Sequence, residues 1–209
     1  VYGVGHPPFT EDQLPSPIDP YGIAKFTVEQ DIKQAHNQFG LNFTLVRPHN
    51  VVGIYQNIWD RYRNVIGIWT RQILNKQPIT IFGDGMQKRA FSDISFYMTP
   101  FTRLMEEYGG ETFNIGADKE YRIIDAAMLL NKVAQKHGFK SEIKHLEPRH
   151  EVKDAFCDHS KAKKMLDFVD GTDLEKVMHD MFTWGMMQPE RTVKTIPYEV
   201  EKGMYSFWK

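Results

Sequence analysis

Residues 19–53 read DPYGIAKFTVEQDIKQAHNQFGLNFTLVRPHNVVG, and this stretch decides the fold. Asp19 offers a side-chain acceptor to cap a helix, and Pro20 suits the first helical position, where a missing N–H costs nothing. Ile23, Val28, Ile32, Ala35 and Phe39 then recur at helical spacing, and Gly40 supplies the stop. The spacing predicts a helix over 20–39. Residues 42–46 (NFTLV) form a β-rich run ahead of Arg47-Pro48 and read as a buried strand. Helix, short turn, apolar strand is the unit, and it repeats outward along the chain. A helix near 65–75 leads to a strand at 79–82 and a Gly83-Asp84-Gly85 turn; one near 95–108 leads to a strand at 112–115. A further helix over about 122–137 leads to a strand at 142–146, and Thr172-x-x-Glu175, a capping-box pattern, opens a last helix to about 187. Such alternation predicts an α/β fold with a partly parallel sheet.

The 209 residues are 41% hydrophobic and 25% charged, enough to build one core or two small ones. A net charge of −1 gives no basic surface for nucleic acid. No apolar run reaches the roughly 18 residues that a membrane span needs, and the first residues lack the basic and apolar segments of a secretory leader. The single cysteine, Cys157, leaves no intramolecular disulfide and fits a reducing, cytoplasmic compartment. Val1-Tyr2-Gly3 reads as the end of a strand entering a turn, so the chain is expected to begin inside a longer protein. His150, Asp154, Cys157, Asp158 and His159 lie close in sequence, but their spacing matches no zinc pattern. Asp158 reads instead as a helix cap before Ser160-Lys161-Ala162, and no metal is expected. Met178, Met181 and Phe182 read as core. Residues 55–65 read as a long irregular loop of the kind that often carries function.

Tyr21 and Lys25 stand four residues apart at the start of the first helix, so both project from one face. A phenol with a pKa of about 10 is a poor base at neutral pH. A neighbouring ammonium stabilises the phenolate; a shift of about 3 units corresponds to about 4 kcal/mol, and the helix dipole adds to it. Such a tyrosine can take a proton from a sugar hydroxyl while hydride leaves the adjacent carbon. The spacing alone does not decide this. With nine tyrosines in the chain, about one such pair arises by chance.

The surroundings of the pair do decide it. Pro20-Tyr21-Gly22-Ile23-Ala24-Lys25, some twenty residues after Val1-Tyr2-Gly3, resembles the extended short-chain dehydrogenase/reductase family, in its NAD-dependent epimerase/dehydratase branch. The resemblance continues in order. Leu45-Val46-Arg47-Pro48-His49-Asn50-Val51-Val52-Gly53 is similar to the family's Arg-Pro/Tyr-x-Asn-Val-Tyr-Gly segment, with His49 and Val52 departing from its commonest residues. Pro78-Ile79-Thr80-Ile81-Phe82-Gly83-Asp84-Gly85, with Arg89 beyond it, is a second match, although Ala90 replaces a common aspartate. Phe113-Asn114-Ile115-Gly116 resembles a strand end that marks packing. Arg149-His150-Glu151-Val152 resembles Arg-x-Gly-Asp/Glu-Val one residue short, and Asp158-His159-Ser160-Lys161-Ala162 matches Asp-x-Ser-Lys-Ala.

The resemblance implies an NAD-dependent nucleotide-sugar epimerase, similar to UDP-glucose 4-epimerase, acting through a 4-keto intermediate. It implies Tyr21 as base, Lys25 as its electrostatic support, and both together with Pro48 and Val51 at the NAD nicotinamide end. Asn50, Arg89 and Arg149 are expected on the sugar diphosphate, Ile81 and Phe82 as a wall for the base, and Glu151 on the ribose. Arg89 suits a diphosphate because a planar guanidinium holds two phosphate oxygens at once. Residues 1–53 are expected to be the C-terminal part of a Rossmann-like NAD(P)-binding domain. Residues 54–209 are expected to be mainly a small α/β NDP-sugar-binding domain, with some segments returning to the first. The Gly-rich pyrophosphate turn and a catalytic Ser/Thr are expected before Val1, so this chain alone is expected to be inactive and its parent to be a cytoplasmic homodimer. A 4,6-dehydratase and a non-catalytic nucleotide-sugar-binding domain are the competing readings.

Overall fold

Helix α1 (Pro20–Phe39) forms where its caps place it. Asp19 is extended and its Oδ1 accepts the Gly22 N–H at 2.8 Å, while Gly40, in the left-handed region at φ 72°, donates its N–H to His36 O. In the computed structural model, which describes residues 1–60, 62–191, 202–205 and 207 but not the side chains of 105–107, the remaining elements follow in alternation. They are β1 (Leu45–Pro48), β2 (Val51–Val52), α2 (Val65–Leu74), β3 (Ile79–Phe82), β4 (Lys88–Ala90) and β5 (Ser92–Asp93). A 3-10 turn (Ile94–Tyr97) runs into α3 (Met98–Glu107), then β6 (Thr112–Ile115), β7 (Glu120–Arg122) and α4 (Ile123–Gln135). Last come β8 (Ile143–Leu146), β9 (Asp154–Ala155), α5 (Ser160–Leu166) and α6 (Leu174–Met186).

The α/β alternation matches expectation, with local corrections; the last helix starts at Leu174, and Thr172 Oγ1 accepts the Asp93 N–H instead of closing a capping box. The first strand lies at 45–48 rather than 42–46. Its pairing starts only where Leu45 N meets Glu111 O, and it carries on through Arg47 and Pro48. The expected 95–108 helix opens as a 3-10 turn, because Asp93 takes the Ser95 N–H. The N-cap of α5 is His159 rather than Asp158; Asp158 instead accepts from both Ser160 N and Ser160 Oγ, one residue further out. The apolar spacing of α1 also does not mark its inner face: the helix buries Gly22 and Glu29, and leaves Ile23, Val28 and Phe39 exposed.

The chain divides into two compact units. The first comprises Val1–Gly53, Gln87–Arg122 and His150–Leu174; the second comprises Ile54–Met86, Ile123–Arg149 and the described residues from Glu175 on. In the first, β1 pairs parallel with β6 and β2 parallel with β5, while β4 lies between β7 (antiparallel) and β9 (parallel). Tyr97, Phe113, Ile115, Ala162, Leu166 and Phe168 form a core under these strands, and Tyr97 OH donates to Ile115 O at 2.8 Å. In the second unit β3 pairs parallel with β8. Trp69 of α2 is fully buried, with its indole N–H on Thr80 O at 2.8 Å. Met178, Met181 and Phe182 are buried core, as their spacing suggested. Among the described residues no helix is long and apolar enough to cross a membrane.

Candidate active site

A cavity of about 630 Å³ lies within the first unit, and α1 forms one wall of it. Because 21, 25 and 29 are successive turns of one helix face, Tyr21, Lys25 and Glu29 all line it. Pro48 and His49, at the end of β1, line it from the strand side, and Arg89 of β4 and Glu151 complete the charged part. The structure therefore brings five of the expected site residues to one cavity: Tyr21, Lys25, Pro48, Arg89 and Glu151. Tyr21 is 65% exposed, and the Lys25 ammonium stands 5.5 Å from its ring centre.

The other expected residues lie elsewhere. Asn50 adopts φ 36° and its amide donates to Ala90 O at 2.9 Å, so it fastens the turn after β1 to β4. Val51 pairs with Ser92 in the β2–β5 ladder. Ile81, Phe82 and Arg149 belong to the second unit. There the Ile81 side chain is buried at 1% exposure, while the Arg149 guanidinium covers the half-buried Phe82 ring at 4.0 Å. Arg89 is also tied down: its guanidinium donates to the Lys88, Val152 and Lys153 carbonyls at 2.6–2.8 Å and faces Glu151 at 3.6 Å.

Sequence reading missed what holds the cavity in shape. Arg47 lies buried against Glu29, giving two hydrogen bonds of 2.6 and 2.9 Å, and its third arm donates to Tyr2 OH at 2.8 Å. Burial works against that guanidinium's charge, but the bonds to Glu29 and Tyr2 outweigh it and push its pKa up. Tyr2 OH donates in turn to Asn114 Oδ1 at 2.7 Å, and burial pushes the phenol up to about 12. Asn114 Nδ2 donates to Phe9 O and Asp158 O, and its own N–H goes to Glu11. The signal available in the sequence was Glu29, four residues after Lys25, with an arginine just before Pro48. Among the described residues no group of three or more His, Cys, Asp or Glu is arranged to hold a metal ion.

A second buried group begins at the cavity wall. The His49 ring stands 5.4 Å from that of His159, with Cys157 Sγ 3.6 Å from His49 Nδ1 and Asp118 at 3.2 Å from His159 Nδ1. Burial, and then the neighbouring His159, pull His49 down to about 3; burial likewise lowers His159, with Asp118 opposing it. An unfolded histidine binds a proton below about pH 6.5, which folded His49 does not take up until near pH 3, so the stability it lends is complete above pH 6.5 and lost as pH falls towards 3. We expect urea unfolding to show a loss of up to about 1.4 kcal/mol per pH unit from His49 below pH 6.5, with a flatter slope in His49→Gln. Equal slopes in the two proteins would refute this. Space beside the ring is short as well. A Cβ on Gly116 would meet His49 Cδ2 at 2.8 Å, so Gly116→Ala is expected to cost about 1–3 kcal/mol in the same measurement.

A tyrosine and a lysine thus stand one turn apart at a helix N-terminus, on the wall of a cavity in an α/β fold. The chain belongs to the NAD dependent epimerase/dehydratase family, whose sequence profile matches residues 1–116. It is 30% identical over 179 residues to an uncharacterized UDP-glucose epimerase of Bacillus subtilis, covering 84% of this chain and 54% of that protein. Its fold superposes with a TM-score of 0.79 on the UDP-glucose 4-epimerase of Thermotoga maritima in complex with UDP-glucose, at 28% identity over 88% of this chain and 59% of that one. The UDP-glucuronic acid 4-epimerase of Bacillus cereus, solved with UDP-glucuronic acid and NAD, gives a TM-score of 0.80 at 28% identity, over 88% and 58%. The chain thus spans about half the length of the curated relatives it matches.

Proposed function

We propose that these residues serve an NAD-dependent nucleotide-sugar epimerase that acts on a UDP-sugar through a 4-keto intermediate. The observation that carries the reading is the placement of Tyr21 and Lys25 together on the cavity wall, with Pro48 and the Arg89–Glu151 pair on the same cavity. Tyr21 sits in the first turn of α1 with the Lys25 ammonium 5.5 Å from its ring centre, and in this proposal it acts as the phenolate base. That phenolate takes the proton of the sugar 4-hydroxyl and returns it after the carbonyl has been re-presented by its opposite face. NAD, when bound, supplies the hydride acceptor and donor for the adjacent carbon. The residues fit that group: Lys25 has no carboxylate in ion-pairing range among the described residues and keeps its N–H donors for ribose hydroxyls, and Pro48 gives an apolar surface beside it. Arg89 and Glu151, on the same cavity, are the groups proposed for the nucleotide.

In this proposal the first unit holds the coenzyme. A homodimer and a cytoplasmic setting, which suits the lone Cys157, belong to the same reading. The test is to incubate the purified whole protein with NAD and, separately, with UDP-glucose, UDP-galactose and UDP-glucuronic acid, and to follow C4 inversion by proton NMR. Inversion of one of them is the expected result. Absence of inversion with every one of them, and with the corresponding dTDP- and GDP-sugars, would sink the proposal.

A further inference from the structure

Glu29 poses a problem for the proposed chemistry. It lies one turn beyond Lys25 on the face that carries Tyr21, and all three side chains line one cavity. At that spacing a lysine and a glutamate are within reach of each other on the helix surface. A Lys25–Glu29 pair would compensate the ammonium and bring a carboxylate towards the phenol, and both effects oppose a phenolate. No such pair forms among the described residues, because Arg47 holds both Glu29 oxygens, at 2.6 and 2.9 Å. The ion pair is buried, with side-chain exposures of 8% for Arg47 and 10% for Glu29. Arg47 is itself held from behind by Tyr2, whose hydroxyl accepts at 2.8 Å and whose ring lies 4.8 Å below the guanidinium.

We propose that Arg47 is a positioning residue that tunes the Tyr21–Lys25 pair: by sequestering Glu29 it keeps the Lys25 charge uncompensated and available to the Tyr21 phenolate. The inference rests on Tyr21 as the base. The other ionisable groups lining the cavity do not substitute for Glu29. Asp19 spends its Oδ1 on the Gly22 N–H, Glu151 faces Arg89, Tyr2 is bonded to Arg47 and Asn114, and His49 and Cys157 face each other. Glu29 is the carboxylate one turn from Lys25, and Arg47 is the cation that occupies it.

The test compares the pH dependence of kcat/KM in the whole protein for wild type, Arg47→Gln and the double variant Glu29→Gln/Arg47→Gln. In Arg47→Gln the freed carboxylate turns to Lys25, and the acidic limb of the profile is expected to move up by about one pH unit. Removing the carboxylate as well is expected to bring the limb back to the wild-type position, whatever the absolute rate. A structure of Arg47→Gln should show Glu29 within ion-pairing distance of Lys25. If Arg47→Gln does not fold, Arg47→Lys takes its place; a lysine is a point charge without the two-pronged grip, so a smaller shift in the same direction is expected. An unmoved limb in the single variant, or one displaced equally in the double, overturns the inference. Full activity in Tyr21→Phe overturns instead the reading of Tyr21 as base, so the two failures are distinguishable.

Discussion

Glu29→Ala should remove about 3–5 kcal/mol of folding stability, a large fraction of the 5–15 kcal/mol typical of a domain. The reason is the burial of what remains. Arg47 is 8% exposed, its charge is fixed by the bonds to Glu29 and Tyr2, and the substitution leaves a largely buried guanidinium with one neutral partner. Arg47→Ala is expected to cost a similar amount, for the mirror-image reason. Replacing both residues by Met should cost far less than the sum of the single changes, because two buried charges disappear together and apolar volume takes their place. Urea unfolding of the four proteins at pH 7 measures the cycle. Additive losses, with the double variant the least stable, would show that the pair does not act as a unit.

Tyr21→Phe should lower kcat by about 10²–10⁴ on the UDP-sugar that the protein turns over, equivalent to about 3–5 kcal/mol of barrier. The substitution removes one oxygen and leaves the ring. Tyr21 is 65% exposed and its ring contact is with Lys25, so folding stability should change by less than about 0.5 kcal/mol. KM should change little, since the hydroxyl acts on a proton in flight rather than on a bound group. Lys25→Met should lose rate in the same direction and shift the acidic limb upward. A Tyr21→Phe protein with more than a tenth of wild-type kcat would falsify the assignment of Tyr21 as base.

Local chemistry made much of the fold legible. The ends of α1 were readable because Asp19, Pro20 and Gly40 act on their own backbone, and the strands at 79–82 and 112–115 because short apolar runs sat between turn residues. The strand at 45–48 starts three residues later than its composition suggests, since its start is set by Glu111, just ahead of β6, rather than by Asn42 or Phe43. The inward face of α1 was hidden for a similar reason. Glu29 is buried only because a cation eighteen positions along the chain meets it. Tyr21, Lys25 and Pro48 could be located because their spacing along one helix and one strand end is itself the pattern. That Ile81, Phe82 and Arg149 belong to the second unit was not legible, because the chain leaves and re-enters the first unit twice. No spacing in the sequence announces the Tyr2–Asn114 bond.

Asn114 joins pieces that are remote along the chain: its side chain meets Tyr2 across 112 positions, Phe9 across 105 and Asp158 across 44. Loop closures of that span repay their entropy only when the strands around them are already in register. Asn114 should therefore gain its partners after the folding barrier has been crossed. In stopped-flow experiments Asn114→Ala is expected to leave the refolding limb of the chevron almost unchanged and to steepen the loss through faster unfolding. The amide that closes this network is then a latch on the finished fold, and the lifetime of the folded state, more than the speed of reaching it, depends on that one side chain.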